Sequence, residues 1–272
     1  MVLSVSSKSP RPLALVTGAS GGIGSELARE LARDGHDLIL VARRQMPMRN
    51  LADDLAAGGV KVTVVPANLG VINATSRLAA DLRSRGITGL DVLVNNAGFG
   101  DYVEFTRAEP TKLVEMILLN VIALTELTRE FLPGMVARGR GKVLLVGALA
   151  GFTPGPGAAV YHATKAYVHS LGDALDRELR GSGVTVTTLC PGPTDTGFSV
   201  TAGRERTPQF SGPRLMTQAG VARRAYGALK EGRPMEVPGL ANKLQAAWVR
   251  FAPRVLLFTS AAQRFCRRTR RV

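Results

Sequence analysis

Six short runs rich in Val, Leu and Ile recur along the first two-thirds of the chain: LALVT (13–17), DLILVA (37–42), KVTVVP (61–66), DVLVN (91–95), KVLLV (142–146) and VTVTTLC (184–190). Between them lie segments 23–34, 74–85, 110–137 and 159–180, whose apolar residues return at helical spacing. Strands that alternate with helices in this way predict an α/β fold, a doubly wound, Rossmann-like parallel sheet with helices on both faces. The runs are apolar at almost every position, as strands covered on both faces must be. A chain of 272 residues is long enough for one such domain.

The expected layout is an N-terminal tail (1–11), one domain (12–240) and a basic amphipathic extension (241–272). Residues 191–214 are rich in Gly, Pro, Ser and Thr and show no period, so a long loop is expected there. Loops of that length in a compact domain are functional lids or partly disordered, and a lid spanning about 191–216 is expected here.

Cys190 and Cys266 offer neither metal spacing nor a disulfide framework. Residues 1–12 lack the apolar core of a signal peptide, and nothing approaches a membrane-spanning run of about 18 apolar residues. A soluble cytoplasmic protein is expected. The net charge of +14 is unevenly spread: from Val237 to Val272 there is no acid, against Lys243, Arg250, Arg254, Arg264, Arg267, Arg268, Arg270 and Arg271. Phe258, Ala261, Ala262 and Phe265 share one helical stripe and Arg264, Arg267, Arg268 and Arg271 another. That pattern fits a terminal helix packed on the body with a solvated basic tail, or a helix resting on an anionic membrane surface. No nucleic-acid-binding module accompanies the charge, so no nucleic acid is expected as partner.

TGASGGIG (17–24) follows the first strand and opens the first helix. Gly18, Gly22 and Gly24 there would let a backbone turn tightly against a pyrophosphate, which would sit on the helix N-terminus beside Ser20 and Ile23. At the end of the second strand stand Arg43 and Arg44, where an NAD-preferring site places an acid; two cations there favour NADP(H).

NNAG (95–98), Asn120, the pair Tyr161 and Lys165 four residues apart, and PG (191–192) complete a set in fixed order. Together these motifs resemble the short-chain dehydrogenase/reductase family over about residues 12–240. The resemblance implies an enzyme in which Tyr161 is the general acid/base toward a carbonyl or alcohol oxygen. Lys165 would lower the tyrosine pKa, ordinarily near 10, and hold the nicotinamide ribose. Asn120 would anchor a proton-relay water. Asn68, Leu69, Asn95, Ala97, Gly98, Pro191, Gly192, Thr194 and Thr196 would join the cofactor site. Family members commonly pair the helices that correspond to 110–137 and 159–180, which implies a homodimer or homotetramer.

Several positions depart from the family pattern. The family serine lies thirteen residues before the tyrosine, and here that residue is Ala148. Asn68 stands where an aspartate is common, and MPM (46–48) and GVIN (70–73) are unusual beside the adenosine half of the site. Three functions fit: an NADP(H)-dependent oxidoreductase interconverting a carbonyl and a secondary alcohol, with catalysis impaired or modified at Ala148; a non-redox dehydration, isomerisation or cyclisation using Tyr161 as acid/base; or a cofactor-binding pseudoenzyme or scaffold. Phe198, Phe210, Leu215 and Met216 in the lid suggest a moderately apolar substrate. His36, His162 and His169 form no ligand set, so no metal is expected, and Trp248 reads as packing for the C-terminal segment.

Overall fold

The computed structural model describes residues 11–195 and 215–251, apart from the side chain of Arg250. In chain order the elements are β1 (Leu13–Thr17), α1 (Gly22–Arg33), β2 (Asp37–Ala42), α2 (Gln45–Ala56), β3 (Val62–Pro66), α3 (Ala74–Ser84), β4 (Val92–Asn95), α4 (Pro110–Ile117), a π-helical segment (Leu118–Ala123) and α5 (Leu124–Ala137). Then come β5 (Gly141–Val146), α6 (Ala159–Glu178), β6 (Val184–Leu189), β7 (Thr194–Asp195), β8 (Met216–Thr217), α7 (Gln218–Glu231), β9 (Met235–Glu236) and α8 (Leu240–Phe251).

Seven strands form one sheet in the order β3-β2-β1-β4-β5-β6-β9, every pair parallel. The doubly wound sheet expected from the alternation is therefore present. The two-residue pleat sorts the strand side chains into two cores. Ala14, Val16, Leu38, Leu40 and Val94 face α1, α2 and α7, meeting Leu27, Leu31, Met48, Leu51, Val221 and Tyr226. Leu15, Ile39, Val41, Leu93 and Val143 face α3, α5 and α6, meeting Leu78, Leu82, Leu127, Phe131 and Val168.

α2, α7, β7, β8 and β9 lie outside the expected set. α2 occupies 45–56, with Pro47 in its first turn, where no intrahelical N–H is required and proline is tolerated. β9 adds two residues to the sheet edge, tied by Cys190 N to Glu236 O at 2.8 Å. The aperiodic loop carries short β7, which pairs with β8 on its far side. Residues 196–214, including Thr196, Phe198 and Phe210, and the stripe from Phe258 to Phe265 lie outside the described residues.

The strand order reverses between β1 and β4: the chain runs outward through β2 and β3, then returns to the other side of β1. In an open parallel sheet such a reversal leaves a crevice at the carboxyl ends of the two strands.

Candidate active site

The crevice is held open from beneath by hydrogen bonds between the two strand ends. Thr17 Oγ1, 1% exposed, donates to Val94 O at 3.2 Å and accepts from Asn96 N at 3.0 Å and Ala97 N at 2.9 Å. Asn96 Nδ2 in turn donates to Thr17 O at 2.9 Å. The glycine loop turns over this clip. Gly18 sits at φ +68, and a Cβ on it would lie 2.7 Å from Asn96 Nδ2. A Cβ on Gly24 would collide with the same amide and with Gly18 O. Only glycine lets α1 start this close to β4, which aims the first N–H groups of α1 into the crevice.

A cavity of about 1040 Å³ fills the crevice. Among the sequence-derived candidates, Gly18, Ser20, Gly22, Ile23, Arg43, Arg44, Asn68, Leu69, Ala97, Gly98, Ala148, Tyr161, Lys165, Pro191, Gly192 and Thr194 all line it. At one end Arg44 Nη2 donates to Ser20 O at 3.1 Å, which places a guanidinium over the glycine loop, with Arg43 beside it. Asn68 Oδ1 accepts from Gly70 N at 3.1 Å and closes the turn after β3. Among the described lining residues the ionisable groups include Arg43, Arg44 and Lys165, and none is Asp or Glu. That end of the cavity is built for an anion.

At the other end, α6 carries Tyr161 and Lys165 on one face, both nearly buried at 6% and 5% exposure. Lys165 Nζ stands 6.0 Å from the centre of the Tyr161 ring and donates to Val146 O at 2.8 Å. Burial pushes its ammonium pKa down to about 8. Below pH 8 the group is a cation, and a cation beside a phenol favours the phenolate. Tyr102 stacks at a tilt on Tyr161, ring centres 5.7 Å apart, and Met116, Ala148 and Ala158 close a small apolar cluster around the phenol.

Ala148 follows β5 in an extended conformation and is 7% exposed. Its segment is fixed to the end of β6, with Gly147 N donating to Leu189 O at 2.8 Å and Leu149 N to Pro191 O at 2.9 Å. A side chain at the neighbouring Gly147 would meet the His169 ring at 2.8 Å, so residue 147 cannot supply a hydroxyl in place of 148. His169 itself is buried against Phe152 and lies 3.1 Å from Cys190 Sγ through Nε2. Desolvation, with Lys165 nearby, lowers its pKa to about 4, so the ring is neutral at ordinary pH. Burial raises the Cys190 thiol well above its usual range, so this sulfur stays protonated.

Three of the described candidates stand apart from the cavity wall. Gly24 packs beneath the loop, as described, and Thr196 lies outside the described residues. Asn95 is 3% exposed and turned to the opposite face of the sheet, where Nδ2 donates to Thr128 Oγ1 at 3.0 Å. Asn96 lines the cavity in its place. The pleat accounts for this, because Asn95 shares a face with Leu93, whose core is that of α5. Asn120 lies just behind the wall in the π-helical segment. It clamps residue 99 from both sides, accepting from Phe99 N at 3.1 Å and donating to Phe99 O at 2.9 Å, and also donates to Thr164 Oγ1 at 3.1 Å. π-helical turns cluster at functional sites.

Sequence reading missed Tyr102, the Thr153–Pro156 wall and the α8 residues Gln245, Trp248 and Val249, all of which line the cavity. Trp248, expected as core or packing for the C-terminal segment, is 55% exposed and stands at the cavity rim. No cluster of three or more His, Cys, Asp or Glu fit to hold a metal occurs among the described residues.

Comparison with known proteins bears on the family and the fold. A family model described as short chain dehydrogenase matches residues 12–207. The chain is 34% identical over 222 residues to the ketoacyl reductase HetN of a Nostoc species, covering 79% of this chain and 74% of that protein. It is 36% identical over 189 residues to a very-long-chain 3-oxoacyl-CoA reductase of Phaeosphaeria nodorum, covering 67% of this chain and 55% of the longer relative. Among solved structures, a short-chain dehydrogenase from Sphingobium yanoikuyae in complex with NADPH superposes with a TM-score of 0.78 at 32% identity, covering 87% of this chain and 92% of that one.

Proposed function

The chain belongs to the short-chain dehydrogenase family, and from that premise we propose that it is an NADP(H)-dependent oxidoreductase interconverting a carbonyl and a secondary alcohol. One observation carries the reading: the glycine loop, the two arginines and the Tyr161–Lys165 pair all line one continuous cavity that has no acid among its described lining residues.

The residues fit the cofactor. The α1 N-terminus and the glycine loop would take the pyrophosphate, and Arg43 and Arg44 the 2′-phosphate. Lys165 would hold the nicotinamide ribose with the ammonium donors it does not spend on Val146. Gly192 and Thr194 would meet the carboxamide. When bound, the nicotinamide supplies or accepts the hydride. The protein's share of the reaction is a proton. In the direction of reduction Tyr161 gives its phenolic proton to the carbonyl oxygen as negative charge gathers there, and in oxidation it takes that proton from the alcohol. The cationic Lys165 makes the resulting phenolate less costly. Asn120 positions this machinery through its clamp on Phe99, next to Gly98.

Ala148 stands at the family's serine position, so Tyr161 bears most of the oxyanion stabilisation by itself. A single missing donor of this kind slows a reaction roughly 100- to 1000-fold, about 3–4 kcal/mol, without changing its type. The substrate is a moderately apolar carbonyl compound, a reading supported by Phe99, Tyr102, Leu149 and Trp248 in the wall and by the oxoacyl compounds in the relatives' names. The domain spans 12–240, and the cytosol supplies its cofactor.

NADPH consumption should be followed with 3-oxoacyl thioesters and bulky ketones in the parent and in Ala148→Ser. The reading expects slow turnover in the parent and a gain of about 100-fold on restoring the hydroxyl. Cofactor binding without turnover in either protein would point to a scaffold. Conversion of substrate without loss of NADPH would point to non-redox use of Tyr161.

A further inference from the structure

α8 has its apolar side on the outside. Around the helix Asn242, Ala246 and Val249 face the body, and Asn242 Nδ2 donates to Pro238 O at 2.6 Å. Leu240, Leu244, Trp248 and Phe251 project the other way, 75%, 64%, 55% and 85% exposed. Their spacing of four, four and three residues makes them one continuous stripe. A soluble helix normally turns such a stripe inward, and an exposed one marks a surface that meets another phase or molecule.

We infer that this stripe seats α8 on an anionic lipid surface. Charge selects the occupant. From Val237 onward the chain carries eight Lys and Arg and no acid, within a protein of net charge +14. A second copy docked through the same stripe would bring two such basic segments together, whereas a bilayer containing anionic lipids offers the opposite charge and an apolar layer just beneath it. The stripe is short and its helix has only 12 residues, so it lies in the interface; no helix among the described residues is long and apolar enough to cross a membrane. Trp248 suits this role, since indole favours the boundary between headgroups and acyl chains. The same residue forms part of the cavity rim, so a protein resting on α8 turns the cavity mouth toward the lipid. This inference does not depend on the redox reading, because lipid binding is measured without turnover.

Trp248 is the only tryptophan in the chain, so its emission reports directly on the stripe. The full-length protein is mixed with vesicles of phosphatidylcholine alone, or of two parts phosphatidylcholine to one part phosphatidylglycerol, at low salt. Co-sedimentation with the anionic vesicles is expected, together with a blue shift of the emission and protection from an aqueous quencher. Leu244→Ser with Phe251→Ser leaves every charge in place and touches no cavity residue; it should weaken anionic-vesicle binding at least about tenfold while circular dichroism stays unchanged. The inference is overturned if the parent fails to bind anionic vesicles, if it binds both vesicle types equally, or if the double variant binds as well as the parent. It is equally overturned if the emission shifts on concentrating the protein without lipid, which would assign the stripe to a second copy.

Discussion

His169, buried behind the Lys165 end and outside the cavity wall, and Arg43, which lines the other end, each make a measurable difference. The His169 ring is buried neutral, with a folded pKa near 4 against 6.5 in the open chain. Between those values the unfolded chain binds more protons than the folded protein, so stability is fully present above pH 6.5 and is lost as pH falls toward 4. From pH 6.5 to 5 the loss due to this ring is about 2 kcal/mol. Urea unfolding of the parent and of His169→Gln across that range should show the steeper decline in the parent; parallel declines would remove the assignment. Lys165 works in the same sense at the alkaline end, its burial cost easing as pH rises above about 8. Arg43 bears on the cofactor. Arg43→Asp should weaken NADP(H) binding at least about tenfold relative to NAD(H), since a charged hydrogen bond is replaced by repulsion. Calorimetry with both cofactors checks this, and equal affinities in the unmodified protein would contradict the preference.

At the scale of elements, the cavity depends on how β1 and β4 are joined. Thr17 Oγ1 accepts two backbone N–H groups from residues 96 and 97 at a position 1% exposed. Thr17→Val keeps the shape, takes the acceptor from Ala97 N and leaves Asn96 N only Val94 O at 3.1 Å, so it should cost about 1–3 kcal/mol in chemical denaturation. It should also weaken cofactor binding, because the α1 N-terminus rests on this clip. Full stability in the variant would show that the strand ends are held by packing alone. Much of this architecture is legible in the sequence. The central strands announce themselves because both their faces are buried, and the glycine loop is read from its place after β1. The choice of Asn96 over Asn95 for the cavity wall was also readable, from strand alternation continued one residue past Val94. α2 was hidden by its polar flank and by Pro47, which is harmless only in a first turn. The outward stripe of α8 could not be read from periodicity, which shows that a helix has an apolar face and leaves open what that face meets.

At the scale of the whole molecule, the described residues present two exposed apolar faces and the cavity. Val114 and Ile117 on α4, Ile122 on the π-helical segment and Tyr167 on α6 are exposed apolar residues, the expected meeting face of a homo-oligomer. Sedimentation should give a multiple of 28.8 kDa at micromolar concentration, and Val114→Lys should lower it; a constant 28.8 kDa would contradict the shared helix pair. On the proposed reading α8 faces lipid, and the cavity joins the end lined by Arg43 and Arg44 to the end that holds Tyr161 and Lys165. The central claim is that hydride crosses that cavity to a substrate carbon while Tyr161 handles the proton. Single-turnover reaction with NADPH deuterated on the transferring face of the nicotinamide, followed by mass analysis of the product, tests it most directly. The account predicts one deuterium on the carbon that bore the oxygen, with product formation almost abolished in Tyr161→Phe at unchanged cofactor affinity. Product that carries no deuterium, or forms equally well without the Tyr161 hydroxyl, would contradict it.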